Sequence, residues 1–119
     1  MYSYTVREKW GFLVKETRVN VTKCLDGHPR AHAGIIIHDD GQKDLISNMT
    51  LVCTVDKDGW LTCRGSYSQA TRKHISLFMR ELASYLNYYD AKFCYEHDKA
   101  LNIYTRKRIN LSEYAKMQG

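Results

Sequence analysis

The strongest constraint on the fold is a β-hairpin signal that runs directly into an amphipathic helix. Two segments rich in β-branched and aromatic residues, Leu51–Val55 and Trp60–Arg64, have the composition of strands. Between them, Asp58 and Gly59 form a pair that readily adopts the positive φ of a tight turn. These features predict an antiparallel hairpin over residues 51–64.

The register of this hairpin depends on the length of its turn. A three-residue loop places Cys53 opposite Cys63, a four-residue loop places Cys53 opposite Thr62, and the sequence leaves both registers open. None of the four cysteines lies within four residues of another, so the close pairs of structural zinc sites are missing. We therefore expect Cys24, Cys53, Cys63 and Cys94 to be reduced, small apolar residues of the core.

The segment after the hairpin has the period of an amphipathic helix. Ser68 is a good N-cap, because its hydroxyl can accept a hydrogen bond from a free amide of the first turn, and Asn87 is a plausible stop. Apolar residues at spacings of three and four predict a helix over about residues 69–86: Ile75, Phe78, Leu82, Tyr85 and Leu86. The opposite face carries Arg72, Lys73, Ser76 and Arg80.

Weaker signals surround this unit. Strands are predicted at Phe12–Cys24, Ala33–His38, Asp44–Ser47 and Leu101–Thr105, with turns at Asp26–Pro29 and Asp39–Gly41. Residues 90–96 suit a short helix capped by Asp90, or else a strand paired with residues 101–105, and the helix is preferred. Asn110 is a candidate cap for a final helix, Leu111–Met117.

Together these elements predict an α+β fold in a single domain over residues 1–119. An antiparallel β-sheet of about four to six strands packs against one main helix, about residues 69–86, with one or two short C-terminal helices. A length of 119 residues suits one domain, and no linker or repeat interrupts the chain.

Hydropathy and the N-terminal residues predict a cytoplasmic protein with no membrane partner. No apolar run approaches the roughly 20 residues of a membrane helix. Met1 to Thr5 do not form the basic and then apolar pattern of a signal peptide. The three glycosylation sequons, which begin at Asn20, Asn48 and Asn110, are therefore expected to stay unmodified.

The net charge of +5 is concentrated in the second half of the chain. Residues 1–58 carry eight basic and eight acidic side chains, whereas residues 59–119 carry ten basic and five acidic ones. Such an asymmetry favours an anionic partner, such as nucleic acid, a nucleotide or an acidic protein face. A surface tuned only for solubility is the alternative.

Residues 59–80 contain no acidic side chain, and they hold most of the candidate binding residues. The free amides at the start of the predicted helix suit a phosphate, and a tyrosine just ahead of it suits a stacked base. A second basic cluster follows near the C-terminus. The predicted binding residues are Arg64, Tyr67, Arg72, Lys73, His74, Arg80, Arg106, Lys107 and Arg108. Seven of the nine tyrosines also lie in the second half.

No catalytic, metal or cofactor motif is present in the sequence. His28, His32 and His38 lie near two aspartates, but their spacing matches no metal signature, and Pro29 opposes a helix that would align them. Nucleophile elbows, phosphate-binding glycine loops and dinucleotide fingerprints are missing as well. We therefore expect a binding protein without cofactor or metal, and the alternative is a small enzyme without a local motif that uses His74 or the loop from His28 to Asp40.

The segment Gly65–Phe78, after a strand and a hairpin, resembles a family of small uncharacterised proteins carried by phages and plasmids of Firmicutes. The family pattern is Tyr-Ser-x-Thr-Thr-x-x-His-Ile, which this chain matches from Tyr67 to Ile75, with Ala70 in place of the first threonine. The resemblance covers about residues 47–105. It carries no catalytic residue.

The resemblance implies a protein of a mobile genetic element that acts in the cytoplasm of a bacterial host. Its expected function is inhibition of host defence, of the anti-CRISPR type, by occupying a surface of a nucleoprotein effector. The alternative is a protein, commonly oligomeric in such families, that binds nucleic acid or sequesters a nucleotide signal through Arg64 to Arg80. A DNA mimic fits less well, because it would be acidic.

Overall fold

The computed structural model describes residues 2–10, 13–21, 23–24, 33–48, 50–64 and 69–118. The strands are β1 (Tyr2–Trp10), β2 (Leu13–Val21), β3 (Lys23–Cys24), β4 (Ala33–Ile37), β5 (Lys43–Ser47), β6 (Thr50–Val55), β7 (Trp60–Cys63), β8 (Lys99–Asn102) and β9 (Arg108–Asn110). The helices are α1 (Gln69–Leu82), α2 (Tyr88–Glu96) and α3 (Leu111–Gln118). No helix among the described residues has the length and apolarity that a membrane span requires.

The main sheet has seven strands that pair antiparallel in their chain order, from β3 to β9. β1 and β2 form a separate hairpin that contacts β6 and β4. The expected α+β fold, an antiparallel sheet with one main helix and shorter C-terminal helices, is confirmed. The sheet exceeds the expected four to six strands because its edge strands β3 and β9, with two and three residues, are too short to leave a sequence pattern.

The β6–β7 hairpin adopts the three-residue register. Cys53 pairs with Cys63, and the amide of Asp56 donates to the carbonyl of Trp60 across the loop. Gly59 closes the turn at a φ of +92°, a conformation that glycine adopts without steric cost.

The β6–β7 register determines which side chains reach the helices. Side chains alternate along a strand, so Leu61 and Cys63 point to one face of the sheet while Trp60 points to the other. Cys63 is hydrogen-bonded to Cys94 of α2, so α2 covers the first face. Tyr114 of α3 packs against Trp60 on the second face, with ring centroids 6.2 Å apart.

The core lies between the sheet and the first two helices. It contains Leu61 of β7, Ile75 and Phe78 of α1, and Ala91 of α2, all almost fully buried. Three cysteines complete it, and each is a free buried thiol: Cys53, Cys63 and Cys94. For these three the expectation of small apolar residues of the core is confirmed, whereas Cys24 lies outside the residues whose side chains are described. Hydrogen bonding to Cys53 together with burial raises the pKa of the Cys63 thiol well above its usual value, which keeps it protonated.

α1 ends earlier than the apolar period predicts. Its last residue is Leu82, four residues before the expected end at Leu86, so the predicted boundary is wrong. Asn87, expected to stop this helix, instead begins the next one: its side chain accepts a hydrogen bond from the amide of Tyr89. Leu86 lies beyond the end of α1 but is still buried in the core. It therefore continues the apolar period of α1 in the sequence without belonging to the helix.

The rest of the second half follows the sequence expectations with shifted boundaries. The preferred helix over residues 90–96 exists, whereas the alternative strand is wrong. Asp90 is the third helical residue and not the cap; its carboxylate accepts from the amide of Asn87. The late strand is β8 and ends at Asn102, so the chain turns where Ile103 to Thr105 were expected to be extended. α3 begins directly after Asn110, as predicted.

In the first half, β1 is a strand that the sequence did not predict. The long strand predicted at Phe12–Cys24 is divided into β2 and β3. The predicted strands near Ala33 and Asp44 are confirmed as β4 and β5, with the turn at Gly41 between them. The predicted turn at Asp26–Pro29 and the candidate cap Ser68 lie outside the described residues.

Asn102 ties the β8–β9 turn to the β6–β7 turn. Its side-chain oxygen accepts from the amides of Tyr104 and Thr105 at 2.9 and 3.0 Å, and its amide nitrogen donates to the carbonyl of Asp58 at 3.1 Å. The amide of Ile103 donates to the carbonyl of Gly59 at 2.8 Å. Because Asn102 is buried, these hydrogen bonds are shielded from competing water, and the two turns form one rigid unit.

Gly59→Ala should destabilise the protein more than Gly41→Ala does. The two glycines have almost equal φ values, +92° and +94°, so each substitution imposes a similar strain of about 1–2 kcal/mol. A Cβ on Gly59 would also lie 2.5 Å from a ring carbon of Tyr104, whereas a Cβ on Gly41 meets no atom within 4 Å. We expect an additional loss of about 0.5–1.5 kcal/mol for Gly59→Ala, measured by urea unfolding, because the exposed Tyr104 ring must leave its present rotamer. Equal losses for the two variants would contradict the contact between Gly59 and Tyr104.

Candidate functional site

α1 presents its basic residues to solvent as the sequence predicts. Arg72, Lys73 and Arg80 are exposed, while Ile75 and Phe78 on the other side of the helix are fully buried. Ser76 lies between the arginines on the same face, and its hydroxyl donates to the carbonyl of Arg72 at 3.0 Å. The basic face is therefore a surface of the folded protein and not a feature of the sequence alone.

Three arginines lie over aromatic rings around α2. The guanidinium carbon of Arg106 is 4.1 Å from the ring centroid of Tyr85, and that of Arg108 is 4.3 Å from the ring of Phe93. Arg72 of α1 lies 5.9 Å from the ring of Tyr88. Such contacts contribute about 0.5–1 kcal/mol each at exposed sites. We name this set the arginine–aromatic surface: Arg72, Tyr85, Tyr88, Phe93, Arg106 and Arg108.

The two sides of α2 explain how arginines from different elements come together. Ala91 and Cys94 of α2 point into the core. Residues that are rotated from them by about a quarter turn around the helix axis therefore lie along the two flanks of the helix. Tyr88 is on the flank that receives Arg72, and its hydroxyl lies 3.4 Å from that of Tyr95. Phe93 is on the opposite flank, where Arg108 reaches it from β9. Hydrogen bonding to Tyr88 together with partial burial raises the pKa of Tyr95 to about 12.

No ion pair between described residues includes an arginine of this surface. Lys92 and Glu96 form an ion pair at 3.7 Å, and His38 is hydrogen-bonded to Asp44 at 2.7 Å. Arg72, Arg106 and Arg108 are exposed. A guanidinium stacked on a ring retains its donors at the edge, and those donors can bind phosphate or carboxylate oxygens.

Arg106 is held in a conformation that an L-residue rarely adopts. Its φ is +63°, in the left-handed region, where a side chain costs about 1–2 kcal/mol. Its amide donates to the carbonyl of Asn102 at 2.8 Å, and the amide of Asn102 donates to the carbonyl of Lys107 at 2.8 Å. These hydrogen bonds offset the strain and hold Arg106 above Tyr85.

The structure separates Arg64 from the other predicted binding residues. Arg64 lines an open cleft of about 380 Å³ together with Thr62, Leu111 and Tyr114. Tyr114 belongs to α3, which covers the face of the sheet opposite to α2. Arg64 and Arg72 are therefore close in sequence but on different faces. Tyr67 lies outside the described residues.

His74 is a buried member of the interface between α1 and β5. Only 8% of the residue is exposed, and its Nδ1 shares a hydrogen bond of 2.7 Å with the hydroxyl of Ser47. The Ser47 hydroxyl also donates a hydrogen bond of 3.3 Å to the hydroxyl of Thr71, which lies one helical turn before His74 on α1. A proton on Nδ1 satisfies this chain, because His74 then donates to Ser47 and Ser47 donates to Thr71.

Burial decides what the Ser47–His74 pair can do chemically. Nucleophilic catalysis requires a serine that the substrate can reach, but Ser47 is 1% exposed. The two motif residues Thr71 and His74 therefore attach α1 to the sheet, with Asn48 adding a long hydrogen bond of 3.5 Å to Thr71. His74 does not share the exposed basic face with Arg72 and Arg80.

No group of three or more potential ligands that could hold a metal ion occurs in the part of the chain that the structure describes. His38 is bonded to Asp44 through its Nε2, at 2.7 Å. His28 and His32 lie outside the described residues.

The aromatic partners of the arginines could not be identified from the sequence. Tyr85 appears there in the apolar period of the helix, Tyr88 only in the high tyrosine content, and Phe93 has no distinguishing feature. Their signal is the presence of four aromatic residues within positions 85–93. That pattern does not show which arginine meets which ring, because Arg106 and Arg108 come from a different part of the chain.

Ser47→Ala should lower the free energy of unfolding by about 1–3 kcal/mol, since it leaves Nδ1 of the buried His74 without this partner. Thr71→Val tests the second contact of the Ser47 hydroxyl in the same way. A double-mutant cycle between Ser47→Ala and His74→Ala, measured by urea unfolding, should give a coupling of about 0.5–3 kcal/mol. Additive losses would contradict the hydrogen bond.

Comparison with known proteins identifies a family for this chain. A model described as a family of unknown function (DUF8033) matches residues 26–93, a range that contains β4 to β7, α1 and the first part of α2. No curated protein and no solved structure matches the chain. Because the matched range is more than half of the 119 residues, the chain belongs to this family of unknown function, DUF8033.

Proposed function

We propose that this protein binds nucleic acid through the arginine–aromatic surface. The observation that carries the proposal is the convergence of exposed Arg72, Arg106 and Arg108 on aromatic rings around α2. Phosphate groups are the anions that guanidinium binds with matched geometry, and a row of them provides most of the affinity of nucleic-acid complexes.

The position of the charges supports a polymeric anion over a small one. Arg72 and Arg108 lie on opposite flanks of α2, so a single phosphate cannot meet both, whereas successive phosphates of a strand can. Lys73, Arg80 and Lys107 are also exposed on α1 and the β8–β9 turn and extend the positive region. A chain of phosphates crossing α2 would meet these groups in turn.

Charge reversal on either flank of α2 should weaken binding to a labelled oligonucleotide. We expect Arg72→Glu and Arg108→Glu each to reduce affinity on the order of tenfold, because each replaces an attraction to phosphate with repulsion. The slope of log K against log salt should become shallower by about 0.7–0.9 for each phosphate that the variant no longer neutralises. Fluorescence anisotropy across a salt series measures both quantities.

Lys116→Glu is the matched control. It makes the same change of net charge at an exposed residue of α3, on the opposite face of the sheet, and should change affinity by no more than about twofold. Circular dichroism confirms that each variant is folded. If the three variants weaken binding equally, the effect is one of net charge, and the arginine–aromatic surface is not the binding site.

We propose that the biological role of this surface is inhibition of a host nucleoprotein. Its basic character favours contact with the nucleic acid of such a complex over mimicry of DNA. The protein should co-elute with a matching CRISPR effector that carries its guide RNA and reduce cleavage by it, and Arg72→Glu should reduce both effects. Unchanged cleavage across a broad panel of effectors would contradict this use and leave nucleic-acid binding to be judged by its own measurement.

A further inference from the structure

Tyr104 is an exposed ring on a rigid support. One side of the ring lies against Gly59, so closely that a Cβ there would come within 2.5 and 2.6 Å of two ring carbons. The residue is still 73% exposed. Its backbone is held by the Asn102 side chain, which also bonds the β6–β7 turn. The ring therefore offers a planar surface to solvent from a backbone that hydrogen bonds hold in place.

Exposed tyrosines concentrate around the arginine–aromatic surface. In the described part of the chain, five large hydrophobic residues are exposed: Ile37, Tyr85, Tyr89, Tyr104 and Met117. Tyr85 carries the guanidinium of Arg106, and Tyr89, 71% exposed, contacts Tyr88 edge to face at 5.7 Å. Three of the five are therefore tyrosines: Tyr85 lies under Arg106, Tyr89 is in the first turn of α2, and Tyr104 is in the same turn as Arg106.

The β8–β9 turn combines this ring with two cations. Arg106 and Lys107 follow Tyr104 within three positions, and both are exposed. Arg106 adopts its strained φ of +63° while the turn is held by hydrogen bonds on both sides. Strain that is retained at an exposed turn is typical of residues positioned for a ligand. A turn already fixed in its binding shape loses little conformational entropy when the ligand arrives.

We infer that the ligand is single-stranded nucleic acid, with one base stacked on Tyr104 and the adjoining phosphates on Arg106 and Lys107. This inference rests on the proposed function and narrows it. Base faces are open for stacking only in single strands, whereas a duplex presents mainly its phosphates and groove edges.

The exposed side of α2 also disfavours a duplex. A helix that reads the major groove carries polar side chains that reach the base edges. On α2 the outward positions hold Tyr89, Lys92 and Glu96, and Lys92 is paired with Glu96 at 3.7 Å. α2 has nine residues and packs against β7 and β8, so one side of this short helix is already covered by the sheet.

The test compares oligo(dT) of about 12 nucleotides with a duplex of the same length, by fluorescence anisotropy at one salt concentration. Wild-type protein should bind the single strand at least about tenfold more tightly. Tyr104→Ala should weaken single-strand binding by about 5- to 100-fold, and Tyr104→Phe should restore it to within about twofold, since stacking needs the ring and not the hydroxyl. Met117→Ala removes another exposed apolar side chain, on α3, and should have no effect.

The outcomes separate this inference from the proposed function. Suppose that the protein binds single strand and duplex equally, and that Arg108→Glu weakens binding while Tyr104→Ala does not. This result overturns the single-strand inference and leaves nucleic-acid binding in place. No binding of either oligonucleotide overturns both. Thermal unfolding of Tyr104→Ala serves as a fold check. If this variant unfolds, wild-type protein and Tyr104→Phe are compared for binding to the two oligonucleotides. The same preference for the single strand in both proteins supports stacking, and no preference in either rejects it.

Discussion

The register of the β6–β7 hairpin is the constraint on which the rest of the structure depends. Placing Cys53 opposite Cys63 directs Leu61 and Cys63 to the face that the helices cover. Cys63 then meets Cys94, which fixes the rotation of α2 and sends Tyr88 and Phe93 to its two flanks. A shift by one residue would reverse every side chain of β7 and remove the support for α2. The arginine–aromatic surface is thus a consequence of a turn closed by Gly59.

Local chemistry in the sequence was enough to predict the elements that have their own signals. The hairpin and α3 after Asn110 were predictable because a turn pair or a cap marks each of them, and the short helix near Asp90 was predicted although its cap is Asn87. The end of α1 was not, because Leu86 continues the apolar period and is buried by the chain after the helix has ended. A burial pattern shows which residues face the core, but not whether they face it from one helix or from two successive elements.

The sequence named the three arginines of the candidate site among nine predicted binding residues, but it did not show which of the nine share a surface. The sequence placed Arg64, Arg72, His74 and Arg80 in one acid-free stretch, and the fold distributes them by rules that the stretch does not display. Strand alternation sends Arg64 to the cleft beside α3, and the helical phase buries His74 against Ser47. Arg106 and Arg108, 26 or more positions beyond Arg80, complete the surface instead. Net charge in a segment therefore does not show which of its basic residues share one surface of the fold.

The buried polar residues of α1 and the exposed residues of the β8–β9 turn have different roles in this chain. Thr71 and His74 anchor α1 to β5, so these two residues serve the architecture. The range matched by the family model ends at residue 93, so it includes the aromatic rings and Arg72 and leaves the β8–β9 turn outside. Two of the three stacked arginines and Tyr104 come from that turn and from β9. The matched range therefore contains α1 and the first part of α2 with the aromatic rings. The segment after it supplies Arg106, Arg108 and Tyr104, on which we expect the ligand specificity of this chain to depend.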